Sequence, residues 1–297
     1  MDRYLSSDLA VEKLGAYRSE KSESASYCEE KKEHCTVCRL NVDDNKAEKK
    51  YGREIGHYVT VFCDKIWLMD AEATEGVASA VSDELMAMLK RCSCGKEIRD
   101  MKVLVAGLGN TEITADAIGP LTVRQMTVTR HLEGFYKKIF GDKNVTSVSA
   151  LIPGVLSQTG IESVEIVKSA AESVVPDAII AIDALAARSC ERLGSTVQLS
   201  DNGISPGSGI GNMRRAINRK NVGFPVIALG VPTVVDSSTL VFDALQRAGI
   251  EEPDGELKKV LDQGRGFFVS PKESDVITKA VSELLSLSLD MTFGTRL

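Results

Sequence analysis

Residues 102–120 read KVLVAGLGNTEITADAIGP. Lys102 to Ala106 is a short apolar, β-branched run, and Gly107, Leu108, Gly109 and Asn110 break it sharply. Asp116 comes ten residues after the run ends, and a helical pattern starts at Ile118. A buried strand that delivers its chain into a Gly-rich turn is how open α/β sheets build sites at the carboxyl ends of their strands.

Outward from this stretch, strands and helices alternate. Tyr58 to Phe62 (YVTVF) reads as the first firm strand. Thr74 to Arg91 carries Val77, Val81, Leu85, Met88 and Leu89 at the helical period, with Thr74 as its cap. Helical character resumes from Ile118 to Leu132, with His131 at its end. Val145 to Ile152 is a strand stopped by Pro153-Gly154, and Gly160 to Val174 is a helix that Pro176 breaks. Ala178 to Ile182 (AIIAI) is apolar without alternation, as expected for a strand covered on both faces, and it ends directly in Asp183. Thr196 to Leu199 and Val226 to Val231 are further strands, the second ended by Pro232-Thr233. Ser237 to Gln246 and Ser274 to Leu289 are amphipathic helices. The expected fold is α/β, a mostly parallel sheet with helices on both faces. Residues 9–57 are charged and poor in large apolar side chains, which reads as an N-terminal arm, in parts mobile or laid over the surface. Residues 251–297 read as a helical extension.

Composition narrows the function. Hydrophobic residues make up 43% of the 297, as in a folded globular chain. A net charge of -6 argues against a general nucleic-acid binder. No run approaches the roughly 20 apolar residues of a membrane helix, and MDRYLSSDLAVEKLG lacks the apolar core of a secretory signal. The seven cysteines are an odd number spread unevenly, which fits reduced thiols in a cytoplasm better than a disulfide framework. His34-Cys35-x-x-Cys38 has half of a zinc set, and Cys92-x-Cys94 would have to complete it. Without a second properly spaced pair, these and Cys28 read as free thiols.

Two acids stand out because both follow apolar strands. If those strands are neighbours, Asp116 and Asp183 meet at one sheet edge. Two carboxylates brought together cannot both ionise cheaply, so one keeps a proton and the pair can run acid/base hydrolysis through water. Each acid taken alone has a plainer role, capping the helix that follows.

Other chemistries fit less well. GLGN invites a dinucleotide reading, but Ile113 stands where the third glycine belongs. The loop Gly203–Asn212 (GISPGSGIGN) has no Gly-Lys-Ser/Thr, so it is no P-loop, although its N–H groups suit an anion or a close backbone approach. Cys190 lacks an obvious partner among His34, His57 and His131. Gly207-Ser208-Gly209 lacks the spacing of a nucleophile elbow.

GLGN with TADAIGP, then VTRHL, PGV, TGIE, PDAIIAIDALAARS, GISPGSGIGN and PVIALGVPTVVD together resemble the germination proteases of endospore-forming bacteria, over about residues 103–236. Weaker echoes are SDLAVE near the N-terminus, GHYVT at 56–60 and VSPKESD at 269–275. The resemblance implies an atypical aspartic endopeptidase that starts the degradation of small acid-soluble spore proteins, with Asp116 and Asp183 as its catalytic pair and no cofactor. It implies a three-layer α/β/α sandwich similar to the hydrogenase maturation proteases, here a single domain over 58–297. It also implies a homotetramer in the spore core, with no membrane or nucleic-acid partner. Gly109, Asn110, Ser205, Gly207, Ser208 and Gly209 are expected to position the peptide or complete its pocket.

The family is also made as a zymogen that removes its own N-terminal segment, and its substrates are cut after an acid in Glu-(Ile/Phe)-Ala-Ser-Glu. Asp8-Leu9-Ala10-Val11-Glu12 is similar, so residues 1–8 are expected to be a pro-segment cut between Asp8 and Leu9. Two positions depart from the family: Ala115 replaces a Pro, and Ser205 replaces a His. The related maturation proteases bind a metal with two acids and a His, so the missing imidazole weighs against a metal here. Metal-dependent processing and non-catalytic binding of spore proteins are the alternative readings.

Overall fold

The computed structural model describes residues 7–10, 12, 25–135, 138–139, 145–207, 214–250, 255–263 and 266–296. Among them, nine strands form one sheet: β1 (Ala25–Lys31), β2 (Cys35–Val42), β3 (Gly56–Cys63), β4 (Lys102–Gly107), β5 (Ser147–Leu151), β6 (Ala178–Ala187), β7 (Thr196–Ser200), β8 (Val226–Asp236) and β9 (Phe268–Val269). The order is β1-β2-β3-β7-β8-β6-β4-β5, with β9 pairing β8. Strands β8, β6, β4 and β5 run parallel. Strands β1, β2, β3 and β7 extend that core as an antiparallel wing.

Nine helices are described: α1 (Asn45–Tyr51), α2 (Ala71–Cys92), α3 (Ile118–Gln125), α4 (Leu156–Thr159), α5 (Ser163–Val174), α6 (Arg219–Val222), α7 (Ser237–Arg247), α8 (Gly255–Gln263) and α9 (Ser274–Phe293). One face of the sheet is covered by α2, α3 and α9, which share a core with Val103, Val105, Ile180, Ile182, Ile227 and Leu229. The other face carries two smaller clusters. One joins Leu104, Ala106, Ile179 and Ala181 to α5 and α6. The other joins Leu40, Tyr58, Leu185 and Val235 to α1 and, through Leu240, to α7. The result is a three-layer α/β/α sandwich. Fully buried aliphatic side chains such as these contribute about 1.5–3 kcal/mol each. No helix among the described residues is long and apolar enough to cross a membrane.

Several boundaries differ from the sequence reading, each for a physical reason. Ala25–Val42 forms a hairpin in the sheet rather than a surface arm. CTVCRLNV buries alternate side chains on two different cores, a pattern that its charged residues disguise. Helix α2 is capped by Asp70, which accepts from Ala73 N at 2.8 Å, and not by Thr74. Helix α3 stops at Gln125, before the β-branched run Thr127–Thr129. Thr127 N donates to Asp290 of α9 at 3.0 Å and Thr129 N to Val148 O at 3.0 Å, so tertiary bonds replace the last helical turns. Strand β8 continues through Pro232 to Asp236. Proline is tolerated there because the ladder with β6 shifts register between Leu185 and Ala186, beside Pro232.

Cys35 and Cys38 lie three apart on one strand and join opposite cores, so the half zinc set is split between the two faces of the sheet. None of the seven cysteines forms a disulfide among the described residues.

Candidate active site

The site begins with the alternation of β6. Ile180 and Ile182 point into the first core. Ile179 and Ala181 point into the second, and Leu185 and Ala187 into the third. Asp183 falls on this latter face, at the gap between the second and third cores. It is 5% exposed and pairs in register with Gly230 of β8. A cleft of about 710 Å³ fills the gap, and its walls include Asp183, Gly230, Asp116 and Gln198. Asp183 lies within a continuing strand and not at its end, a difference from the sequence reading. Ala184 to Ala187 keep pairing with β8, so β6 has ten residues instead of five.

Asp116 reaches the cleft from the neighbouring strand. β4 and β6 are parallel partners, with Gly107 opposite Ile182, and Leu108 N still donates to Ile182 O at 2.8 Å. The chain then turns at Gly109, whose φ of +113° is closed to most L residues. A β carbon at Gly109 would stand 1.9 Å from Asp116 O, so the turn packs directly on the backbone of the acid it positions. Asn110 N donates to Asp116 Oδ2 at 2.8 Å. The Asn110 side chain is itself tied down, accepting from Gln158 Nε2 at 2.8 Å and from Glu112 N at 3.0 Å. Asp116 caps no helix: the residue before α3 is Ala117, which makes no side-chain cap bond. Asp183 Oδ1 accepts from Ala184 N at 3.0 Å, within a strand.

The two carboxyls are perturbed unequally. Burial pushes the Asp183 carboxyl well above the usual carboxylate range, and the nearby charges of Asp116 and Asp8 push it further. Burial also raises Asp116, but the Asn110 N–H and the charge of Arg214 oppose the rise. The chemistry available is that of an acid pair in which Asp183 is the member held further above the usual carboxylate range.

Of the other expected pocket residues, Gly109, Asn110, Ser205 and Gly207 line the cleft. Ser208 and Gly209 lie outside the described residues. Asp8 lines the cleft, and Leu9 is fully buried in the cluster with Leu185 and Tyr58. Cys190 is exposed on the surface, and His57 is bonded to Asp201 at 2.7 Å. No described group of three or more His, Cys, Asp or Glu side chains is arranged to hold a metal ion.

Among the cleft residues that escaped the sequence reading are Arg53, Gln198 and Arg214. Gln198 left a faint signal, a polar residue between the buried Val197 and Leu199 of TVQLS. Arg53 and Arg214 left none, because each lies in a segment without periodicity.

The family model of the germination proteases matches residues 6–248. The chain is 37% identical to the germination protease of Caldanaerobacter subterraneus subsp. tengcongensis, over 96% of this chain and 92% of that protein. It is 34% identical to the germination protease of Clostridium acetobutylicum, over 96% of this chain and 93% of that one. The corresponding figures for the germination protease of Bacillus subtilis are 39%, 80% and 65%. Among solved structures, a NiFe hydrogenase maturation protease of Thermococcus kodakarensis KOD1 is similar at 14% identity, covering 66% of this chain and 97% of that one. The TM-score of 0.29 is too low to carry an argument.

Proposed function

This chain belongs to the germination protease family, and on that premise we propose that it is an aspartic endopeptidase whose catalytic pair is Asp116 and Asp183. Membership makes it a protease of spores. The finer reading is that it cleaves small acid-soluble spore proteins at germination.

The observation that supports the pair most strongly is Asp183 itself. A carboxyl 5% exposed on a central strand, with no cation bonded to it among the described residues and a second acid close enough to raise it further, has no structural purpose that an apolar residue would not serve better. In the proposed reaction, ionised Asp116 takes a proton from water as the water oxygen attacks the peptide carbonyl. Protonated Asp183 donates to the carbonyl oxygen, giving a tetrahedral diol. As the C–N bond breaks, the proton held by Asp116 passes to the leaving nitrogen, and Asp183 recovers its proton from the collapsing diol.

The same reading makes the Asp8–Leu9 bond the site of self-processing. Its support is the position of Asp8 on the wall of the cleft that contains both acids. Homotetrameric assembly in the spore core is part of the proposal, to be checked by light scattering and by fractionation of spores.

The test is incubation with a purified small acid-soluble spore protein, wild type beside Asp183→Asn and Asp116→Asn, with and without a chelator. The expected result is cleavage by the wild type in both conditions and none by either variant. Full activity in a variant removes the mechanism, and activity lost on chelation replaces it with metal-assisted hydrolysis. N-terminal sequencing of matured protein should begin at Leu9; a different end removes the processing site.

A further inference from the structure

The cleft beside Asp183 holds a short piece of the chain itself. Asp8 N donates to Ala186 O at 2.9 Å, and Ala186 N donates to Asp8 Oδ2 at 2.9 Å. Leu9 is fully buried in the apolar cluster. The Gln198 amide brackets it: Nε2 donates to Asp8 O at 2.9 Å, and Oε1 accepts from Ala10 N at 2.5 Å. Four residues on from Asp8, the Glu12 carboxylate accepts from Arg188 N at 2.8 Å and Ser189 N at 3.2 Å. Ser7 Oγ donates to Glu12 and accepts from Leu9 N, so the segment closes on itself.

Each contact reads a different chemical feature. Two seats made of main-chain N–H groups take carboxylates, and an apolar cup takes the residue after the first acid. One side-chain amide reads main chain on both sides of that residue, regardless of its side chain, as a strand neighbour would. Arg53 adds a positive wall. Its Nη2 donates to Ser7 O at 3.2 Å, and its Nε is buried without a hydrogen-bond partner.

We propose that Gln198 is the positioning residue of this groove, holding the main chain of acid–apolar–Ala peptides beside Asp183, and that residues 7–10 and 12 are the chain's own occupant of the same seats. This rests on the proposed endopeptidase only for its consequence; the binding itself needs no catalysis. A substrate peptide must displace the chain's own segment, and Gln198 sets the register in which it lies.

The test uses the full-length chain carrying Leu9→Asp, which puts a charge into the apolar cup and frees the groove. The probe is a fluorescein-labelled peptide Ser-Asp-Leu-Ala-Val-Glu, whose binding is read by anisotropy. A second peptide is N-methylated at the Ala nitrogen and so cannot donate to Gln198. Gln198→Ala and N-methylation should each weaken binding about tenfold, as expected for one or two hydrogen bonds. Together they should weaken it little more than Gln198→Ala alone, because the bond that N-methylation removes is one that Gln198→Ala has already lost. Additive losses, no loss with Gln198→Ala, or no binding to the Leu9→Asp protein overturns the proposal. Spore-protein cleavage is scored separately: coupled binding without cleavage leaves the clamp standing and removes the enzyme, and cleavage with additive losses does the reverse.

Discussion

Gly109→Ala tests how tightly the turn after β4 positions Asp116. The new β carbon would lie 1.9 Å from Asp116 O, where ordinary contacts stay above 3.0 Å, so the turn or the acid must move by about 1 Å. A displacement of that size at a reacting group costs on the order of 10²-fold in rate. The backbone itself adds a penalty, since a φ of +113° costs a non-glycine residue about 1–3 kcal/mol. Gly223→Ala is the control. Gly223 also has a positive φ, +84°, but nothing lies within 4 Å of its would-be β carbon, and it is not part of the cleft wall. Both variants should lose stability, by roughly 1–3 kcal/mol, read as a lower urea midpoint. Only Gly109→Ala should lose the cleavage rate per folded molecule, by about 10²-fold, with a spore protein as substrate. A Gly109→Ala protein that is destabilised yet cleaves at the wild-type rate would refute the claim that this turn holds a catalytic carboxylate in place.

Asp183→Asn should change stability in a pH-dependent way. Burial raises the Asp183 carboxyl in the folded state, so its contribution is favourable below the ordinary carboxylate range and is lost as pH rises through the raised value. Urea midpoints of variant and wild type should therefore agree near pH ~4 and favour the variant near pH ~8; a wild type at least as stable as the variant at the higher pH counts against a buried, unpaired acid. Arg39→Met removes the cation that bonds the buried Glu84 carboxylate through Nε at 3.0 and 3.1 Å. It should cost about 2 kcal/mol in urea unfolding without changing the rate per folded molecule, and an unchanged midpoint would show that the pair contributes nothing. Thiol labelling of the native protein should be rapid at the exposed Cys28, Cys94 and Cys190. It should wait for unfolding at Cys63, whose thiol burial pushes up to about 12; fast labelling there would mean that β3 opens readily.

The two acids stood out because each follows an apolar run, Asp183 directly and Asp116 in the turn ten residues on, and the register of β4 against β6 brings those runs side by side. The reading of them as helix caps is excluded by their actual partners, Asn110 N and Ala184 N. The hairpin β1–β2 was illegible for the opposite reason. β2 alternates between two cores, but its partner β1 is largely exposed and carries Glu29 and Glu30, so together with Arg39 on β2 charge masks the period-two pattern. Gln198 was missed because a polar residue between two buried ones in a strand is only a faint signal; its partners lie in a segment 190 residues away in sequence.

The sequence by itself determined the α/β class, most of the strand and helix positions and the family, and it singled out two strand-following acids as candidates, because these depend on local periodicity and on short motifs. The tertiary structure alone decided that Asp183 lies within a strand, at the gap between two satellite cores. It also decided that Asp8 reaches the wall of that gap, its segment held by Gln198 and by main-chain N–H groups of β6 and the turn after it. Pairing partners and the coverage of a sheet face are set by long-range packing, and no window of neighbouring residues encodes them.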